Sequence, residues 1–288
     1  MMRAPGSQLY LDWAERWDRL DFAHIPVGVL SQAYELYLRS HAPAKQRKEG
    51  GFYTPRPIAD LLVRASFRAL ERDGSCVAAR ILDPAAGAGV FLLTAFRELV
   101  AARWRADEKR PDTQCLREIL YEQITGFDIN EEALRFAALA LYLISIELDP
   151  HPQPVDKLRF EGLRGKVLHL VGSEQPEAGA ALGSLGPLVG DEHRGRYDMV
   201  VGNPPWSTGT QLADWPLVLG TVTRIASERA GTKIAPPLPN QGLDIPFVWR
   251  AMEWAKPGGQ LAFALHTVAC FSSKATVWPM RAECSFRQ

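Results

Sequence analysis

Residues 81–89 read Ile-Leu-Asp-Pro-Ala-Ala-Gly-Ala-Gly, and a helical pattern of apolar residues runs on from them over residues 88–105. The apolar start predicts a short buried strand, and the two glycines predict a tight turn into the helix. Without a Cβ atom, Gly87 and Gly89 allow the backbone to turn sharply and to come close to a ligand. The simpler interpretation is a glycine-rich turn that only reverses the chain.

Further strands and helices alternate on both sides of this turn. Short apolar strands are predicted at Ala79–Pro84, Ile124–Asp128, Val167–Val171, Tyr197–Val201 and Gln260–Leu265. Helices are predicted at about 57–72, 88–105, 131–148 and 244–255, and residues 174–195 and 207–242 read as long connections rich in Gly and Pro. This alternation predicts an α/β fold with a Rossmann-like, doubly wound, mostly parallel sheet. Apolar residues at helical spacing in residues 8–40 predict an additional N-terminal helical segment.

Composition and sequence patterns argue against a membrane protein, a secreted protein and a metal-binding protein. The 288 residues are 47% hydrophobic and 23% charged, as in ordinary soluble globular proteins. No apolar run approaches the ~20 residues that span a bilayer, and the N-terminus lacks a signal-peptide pattern. The four cysteines form no CxxC pair and the six histidines stand singly. We therefore expect a cytoplasmic protein with no membrane segment and no metal site. The net charge of zero means that a polyanionic partner would need a local basic face.

The glycine turn favours a particular kind of cofactor. The dinucleotide pattern G-x-G-x-x-G fails because Leu92 stands where the third glycine belongs. The acidic Asp83 would repel a pyrophosphate and would suit an ammonium group. A cofactor with an amino-acid end, bound along Asp83, Ala85, Gly87 and Gly89, is therefore favoured over NAD.

Residues 126–130, Gly-Phe-Asp-Ile-Asn, close the next strand. An acidic residue at this strand end commonly binds a ribose diol. Asp128 could equally cap the helix over residues 131–148, and the two roles compete for its oxygens. Its position after the glycine turn favours ribose binding, and Ile129 beside it is assigned to the same site.

Residues 203–206 read Asn-Pro-Pro-Trp and follow another apolar strand. Pro204 and Pro205 remove two backbone donors and fix the local dihedrals, so the loop is stiff. The amide of Asn203, the carbonyl of Pro204 and the ring of Trp206 are thereby held beside one another. Together they can accept two hydrogens from a planar amino group and cover the ring that carries it. The loop predicts chemistry on an exocyclic amine, although it could also simply cap the sheet.

These stretches together resemble the N6-adenine DNA methyltransferases of restriction–modification systems, in their gamma order of motifs. Residues 83–89 resemble the family's glycine-rich motif, Asp128 falls at its ribose carboxylate, and residues 203–206 resemble its (Asn/Asp/Ser)-Pro-Pro-aromatic catalytic motif. Residues 52–55, Phe-Tyr-Thr-Pro, would on spacing alone be a linker before a helix. They resemble the Thr-Pro motif over the methionine part of S-adenosylmethionine, which implies cofactor contacts for Tyr53, Thr54 and Pro55. At the cofactor adenine, Ser173 stands where an acidic or amide residue is common.

The resemblance implies methyl transfer from S-adenosylmethionine to N6 of an adenine flipped out of double-stranded DNA. Asn203, Pro204, Pro205 and Trp206 would form the catalytic loop, and no metal or side-chain nucleophile is required. A specificity or restriction subunit is a possible partner, as part of a restriction–modification or phage-defence system. Two other interpretations stay open: methylation of glutamine N5 in a protein, or a truncated, non-catalytic remnant or subunit.

The sequence pattern and the resemblance together predict four parts of the chain. They are an N-terminal helical segment (1–45), a linker with the Thr-Pro motif (46–56), the methyltransferase catalytic domain (57–272) and an irregular tail (273–288). The family's last sheet hairpin and its target-recognition region have no counterpart in this sequence. The expectation is therefore a chain truncated at its C-terminus.

Overall fold

The computed structural model describes residues 27–29, 33, 36 and 54–265, except residues 73, 75, 155, 173–179, 210, 211, 213, 239 and 240. Gly28 and Val29 are helical, and the remainder of the predicted N-terminal helical segment lies almost entirely outside the described residues. Most of the predicted linker and the whole predicted tail at 273–288 also lie outside them.

Five parallel strands form one sheet in the order β3-β2-β1-β4-β5. The strands are β1 (Ile81–Asp83), β2 (Ile124–Asp128), β3 (Leu168–Leu170), β4 (Tyr197–Gly202) and β5 (Ala255–Phe263). The strand order reverses at β1, which pairs with β2 on one side and with β4 on the other. In open α/β sheets the crevice at such a reversal, beyond the carboxyl ends of the strands, is the usual ligand site. The predicted α/β, doubly wound fold is confirmed.

The described part of the chain contains six α-helices. They are α1 (Arg56–Arg72), α2 (Val90–Asp107), α3 (Thr113–Glu122), α4 (Glu131–Leu148), α5 (Trp215–Ala230) and α6 (Asp244–Trp254). Ile81 and Met199 lie in the core cluster formed with α1 to α4, whereas Leu82 and Val200 pack in a second cluster with Trp254 of α6. Neighbouring strand residues point to opposite faces, so the apolar runs of β1 and β4 are buried on both sides.

Two of these helices were not predicted from the sequence. The predicted connection 207–242 contains α5, and the segment before β2 contains α3. Within α5, Gly220 weakens the local helical signal, whereas Pro216 lies in the first turn, where proline is tolerated. Burial of the apolar face of α5 stabilises the helix instead, together with a 2.5 Å contact between Arg224 Nη2 and Glu253 Oε1 of α6. Tertiary packing here outweighs intrinsic propensity.

The N-cap of α4 is Asn130. Its side-chain Oδ1 accepts hydrogen bonds from the backbone N–H groups of Glu132 at 2.9 Å and of Ala133 at 3.1 Å. The alternative in which Asp128 caps this helix is therefore wrong. The Asp128 carboxylate accepts from the N–H groups of Gly87 and Asn130, which both lie outside the helix.

Asn130→Ala is expected to lower the free energy of unfolding by about 1 kcal/mol, because two N–H groups of the first turn lose their acceptor. Urea denaturation of the two proteins measures this difference. Asn130→Asp is the matched control, since aspartate is an equally good N-cap and should keep nearly full stability. Equal stability of the alanine and aspartate variants would contradict the capping role.

Two half-buried histidines meet at one end of the second core cluster. The rings of His169 and His193 lie 5.9 Å apart between centroids, and each meets the edge or face of Phe127. The Nδ1 atom of His193 lies 2.6 Å from the hydroxyl of Tyr197. Burial lowers the pKa of both imidazoles below the usual 6.5. Folding therefore favours the neutral form of both rings.

Because of these two histidines, we expect acidification below pH 6.5 to lower the free energy of unfolding. Below pH 6.5 the unfolded chain binds protons that the buried imidazoles do not, so unfolding takes up protons. The contribution of the two imidazoles to the melting temperature should be constant well above pH 6.5 and should decrease as the pH falls below it. A His169→Gln/His193→Gln variant should show a flatter profile over the same range. An unchanged slope in that variant would assign the acid sensitivity to other groups.

Candidate active site

The carboxyl ends of β1 and β4 meet at the middle of the sheet. β4 ends at Gly202, and a Cβ atom at this position would lie only 2.7 Å from Oδ1 of Asp83, the last residue of β1. Any larger side chain would displace the Asp83 carboxyl. The Asn-Pro-Pro-Trp loop after β4 and the glycine turn after β1 therefore leave the sheet side by side.

The amide of Asn203 has one partnered end and one unpartnered end. Its Nδ2 atom donates a hydrogen bond to Oγ1 of Thr54 at 3.0 Å, and Thr54 is itself buried. Its Oδ1 atom is buried and has no hydrogen-bond partner among the described residues. Buried acceptors are nearly always paired in native proteins, so an unpaired one marks a place where a ligand can supply the donor.

The loop is held at both ends by one residue that follows β5. The N–H of Ala264 donates to the carbonyl of Gly202 at 3.1 Å, and the carbonyl of Ala264 accepts from Nε1 of Trp206 at 3.3 Å. The Trp206 side chain is tethered by its nitrogen yet 40% exposed, while Pro204 in the middle of the loop is buried. An anchored, exposed indole ring at the mouth of a site is suited to stacking on a flat ligand.

The glycine turn after β1 adopts the backbone that its sequence predicts. Gly87 has φ of 52° and Gly89 has φ of 84°, both in the left-handed region that favours glycine. The N–H of Ala86 donates to the carbonyl of Phe127 at 2.8 Å, which ties the turn to β2. Ala85 and Gly87 are its partly exposed residues and would contact a ligand lying over it.

Asp83 lies beneath this turn and is fully buried. Its Oδ1 atom accepts from the N–H of Ala85 at 3.1 Å, and its Oδ2 atom has no partner in the part of the chain that is described. Burial raises the pKa of this carboxyl to about 8, the Ala85 hydrogen bond lowers it in part, and the nearby charge of Asp128 raises it further. The carboxyl is therefore mostly protonated at neutral pH.

Asp128 links the glycine turn to the end of β2. One carboxylate oxygen accepts from the N–H of Gly87 at 2.7 Å and the other from the N–H of Asn130 at 2.7 Å. Beside it, the side chain of Ile129 is 41% exposed. Cβ atoms at Gly172 and Gly183 would come within about 3 Å of Ile129, so both positions leave room for that residue.

Most of the site residues predicted from the sequence meet at this edge of the sheet. Thr54 contacts Asn203 directly, and the carbonyl of Pro55 accepts from Ile58 and Ala59 in the first turn of α1. Tyr53 and Ser173 lie outside the described residues. The sequence did not indicate the anchoring role of Ala264, which makes its contacts through backbone atoms only.

The parallel sheet, its glycine turn and its acidic β2 end define a Rossmann-like methyltransferase fold. A family model described as N-6 DNA Methylase matches residues 27–277, most of the chain. The chain belongs to the N-6 DNA methylase family. No curated protein matches it.

Solved structures share this fold. DrdV, solved in complex with DNA, is 19% identical with a TM-score of 0.58, over 91% of this chain and 26% of its own. The ATP-dependent type ISP restriction-modification enzyme LlaBIII, bound to DNA, is 14% identical with a TM-score of 0.50, over 74% of this chain and 14% of its own. At these identities the likeness supports the fold alone. The chain thus spans a minor part of the length of either protein.

Two features are absent from the part of the chain that the structure describes. No group of three or more His, Cys, Asp and Glu side chains could hold a metal ion. Within the same residues, no helix combines the length and the apolar character that crossing a bilayer requires.

Proposed function

We propose that this chain transfers a methyl group from S-adenosylmethionine to N6 of an adenine flipped out of double-stranded DNA. The observation that carries the proposal is the buried, unpartnered Oδ1 atom of Asn203 in a stiff Pro-Pro loop at the strand reversal. Membership of the N-6 DNA methylase family favours DNA over a protein glutamine as the substrate. We further propose that the protein acts in a restriction–modification or phage-defence system, with a specificity or restriction subunit as a partner.

The residues at the strand reversal fit S-adenosylmethionine. Asp128 lies at the carboxyl end of β2, where its oxygens accept from the N–H groups of Gly87 and Asn130, and an acidic residue at this strand end commonly binds a ribose diol. The exposed side chain of Ile129 offers an apolar surface for the cofactor adenine. The partly exposed Ala85 and Gly87 let a ligand approach the backbone closely.

The methionine end of the cofactor would lie near Asp83 and the Thr54-Pro55 motif. The unpartnered Oδ2 atom of Asp83 suits an ammonium group, whose positive charge would favour the ionised carboxylate and lower its raised pKa. Since no part of Asp83 is exposed, this contact would require the covering residues to shift. When bound, S-adenosylmethionine supplies an electrophilic methyl group on a positively charged sulfur.

Asn203 and Pro204 would prepare the adenine amine for attack. The lone pair of N6 is delocalised into the base, so the amine is a weak nucleophile. Acceptance of one hydrogen by Asn203 Oδ1 and of the other by the Pro204 carbonyl favours a lone pair that points out of the ring plane. Positioning and electrostatic stabilisation then provide the rate increase, without a covalent step on the protein.

Trp206 would hold the target base in place. An adenine inside a duplex is out of reach and must rotate out of the stack before it can react. The exposed indole ring, fixed by its bond to the Ala264 carbonyl, offers a face on which the flipped base can stack.

Methyl transfer from labelled S-adenosylmethionine tests the proposal directly. The purified chain is incubated with duplex DNA rich in adenine or with a protein extract, and the DNA is digested to nucleosides. Label in N6-methyl-2′-deoxyadenosine supports the proposal. Label in protein glutamine would replace it with the glutamine interpretation, and cofactor binding without transfer to either substrate would favour a non-catalytic subunit.

The proposed division of the chain follows from the same assignment. The catalytic domain of residues 57–272 would contain both the cofactor site and the amine site. Thr54 and Pro55 precede α1, so the Thr-Pro motif would join the N-terminal segment of residues 1–45 to that domain.

A further inference from the structure

We propose that Thr54 is a positioning residue that fixes which end of the Asn203 amide faces the substrate amine. This inference rests on the proposed function and adds to Thr54 a task other than contact with the cofactor. Its basis is the pair of observations at Asn203: Nδ2 donates to Thr54 Oγ1 at 3.0 Å, and Oδ1 is buried and unpartnered.

An asparagine side chain can occupy almost the same space in two orientations with opposite chemistry. In one orientation the oxygen faces the substrate and accepts a hydrogen from it. After a half-turn about the last side-chain bond, the NH₂ group faces the substrate and offers it donors instead. The amine of adenine also presents donors, so the second orientation would place donors against donors. Selection between the two orientations is therefore a requirement of the chemistry.

The Thr54 hydroxyl supplies that selection. Its oxygen can accept from the Asn203 NH₂ and remains free to direct its own hydrogen elsewhere. Paired in this way, the amide nitrogen is satisfied and the amide oxygen is left facing away from Thr54. A hydroxyl could also donate to a reversed amide, but the NH₂ group would then be buried without an acceptor, which is the more costly arrangement.

Thr54 is held rigidly enough to perform this task. The next residue, Pro55, accepts from Ile58 N–H at 2.9 Å and so belongs to the start of α1. Ala59 and Val63 on that helix are fully buried in the same core cluster as the β4 residues Met199 and Val201. The threonine and the asparagine are 149 residues apart in sequence, yet each lies next to an element packed in that core.

The test compares Thr54→Val with Thr54→Ser in the full chain. Valine keeps the shape of threonine and removes the hydroxyl, whereas serine keeps the hydroxyl. We expect kcat for DNA methylation to fall about tenfold or more in the valine variant, the effect of losing one hydrogen bond of ordinary strength. The serine variant should recover most of that loss. The KM for DNA should change by less than about threefold in both variants, because Thr54 is assigned no contact with DNA.

Thr94→Val is the matched control. Thr94 is another buried threonine whose hydroxyl is hydrogen-bonded, to Asp60 Oδ1 at 2.9 Å and to the Val90 carbonyl, at the interface of α1 and α2. Its loss should lower the melting temperature without lowering kcat. If Thr54→Val lowered kcat only to the extent that Thr94→Val does, the role of Thr54 would be structural and the proposal would be overturned.

A second measurement does not depend on activity. In protein labelled with ¹⁵N-asparagine, the side-chain signals of Asn203 are assigned by their absence in Asn203→Ala. We expect Thr54→Val to shift the Asn203 NH₂ signals and to speed the exchange of these hydrogens with solvent, because the NH₂ group loses its acceptor. Thr54→Ser should restore both. Unchanged NH₂ signals in the valine variant would overturn the proposal even in an active enzyme. A shift in a protein that methylates no DNA would instead show that the amide contact exists and that the proposed function is wrong.

Discussion

Asn203→Ala is expected to reduce the rate of methyl transfer to DNA by about 10²- to 10³-fold, the effect of removing one preorganised polar group from a reaction centre. The Oδ1 atom of Asn203 is the buried acceptor that would orient the amine, and alanine offers no substitute. Asn203 is not expected to contact the cofactor, so the Kd for S-adenosylmethionine should stay within about twofold. Single-turnover methylation and calorimetry measure the two quantities separately.

Asn203→Asp is the matched control for this variant. A carboxylate in the same place still accepts a hydrogen from the amine, and the family motif admits aspartate at this position. We expect the aspartate variant to keep more activity than the alanine variant. A parallel loss of transfer and of cofactor binding in Asn203→Ala would contradict the assignment, because it would indicate collapse of the whole strand reversal.

Asp128→Ala is expected to weaken binding of S-adenosylmethionine by about 10²-fold or more, since hydrogen bonds to a charged group are among the stronger ones. The variant loses the acceptor proposed for the ribose hydroxyls. It also releases the N–H groups of Gly87 and Asn130, each held at 2.7 Å by this carboxylate. Loss of ligand contact and loss of turn geometry therefore act in the same direction, and calorimetry with S-adenosylmethionine measures the total.

Two comparisons separate these contributions. Asp128→Asn keeps the side-chain shape but places an NH₂ group against one of the two N–H donors, so it should be intermediate in affinity. Asn130→Ala affects the neighbouring helix cap and should leave the affinity nearly unchanged. Unchanged affinity in Asp128→Ala would remove this residue from the cofactor site.

The fold was predictable wherever the sequence pattern is local. Short apolar runs gave all five strands, and Gly87 and Gly89 gave the turn after β1, because strand burial and positive φ leave a direct trace in residue type. Helix α5 was missed because Gly220 and the Gly- and Pro-rich composition of residues 207–242 obscure its pattern, and its stability comes from packing of its apolar face. The cap of α4 was visible in principle: Asn130 is followed directly by Glu131 and Glu132, a common start of a helix.

The residues of the candidate site were predictable from the sequence, but the hydrogen bonds that connect them were not. Nothing near Thr54 in the sequence indicates that its hydroxyl meets Asn203, since the contact joins segments 149 residues apart. The sequence likewise allowed two roles for Asp128, ribose binding and helix capping. Only the fold shows that its oxygens accept from the N–H groups of Gly87 and Asn130. Such partners depend on which strand ends become neighbours, which is a property of the assembled sheet.

The anchor at Ala264 has a consequence for how this region can vary in evolution. Both of its contacts, to the Gly202 carbonyl and to the Trp206 indole, use main-chain atoms. These two bonds exclude proline at position 264, because proline lacks the N–H. They place no requirement on any other side chain at this position. Neither bond depends on the side chain at position 264, so comparisons of residue type would not identify this position as a support of the Asn-Pro-Pro-Trp loop.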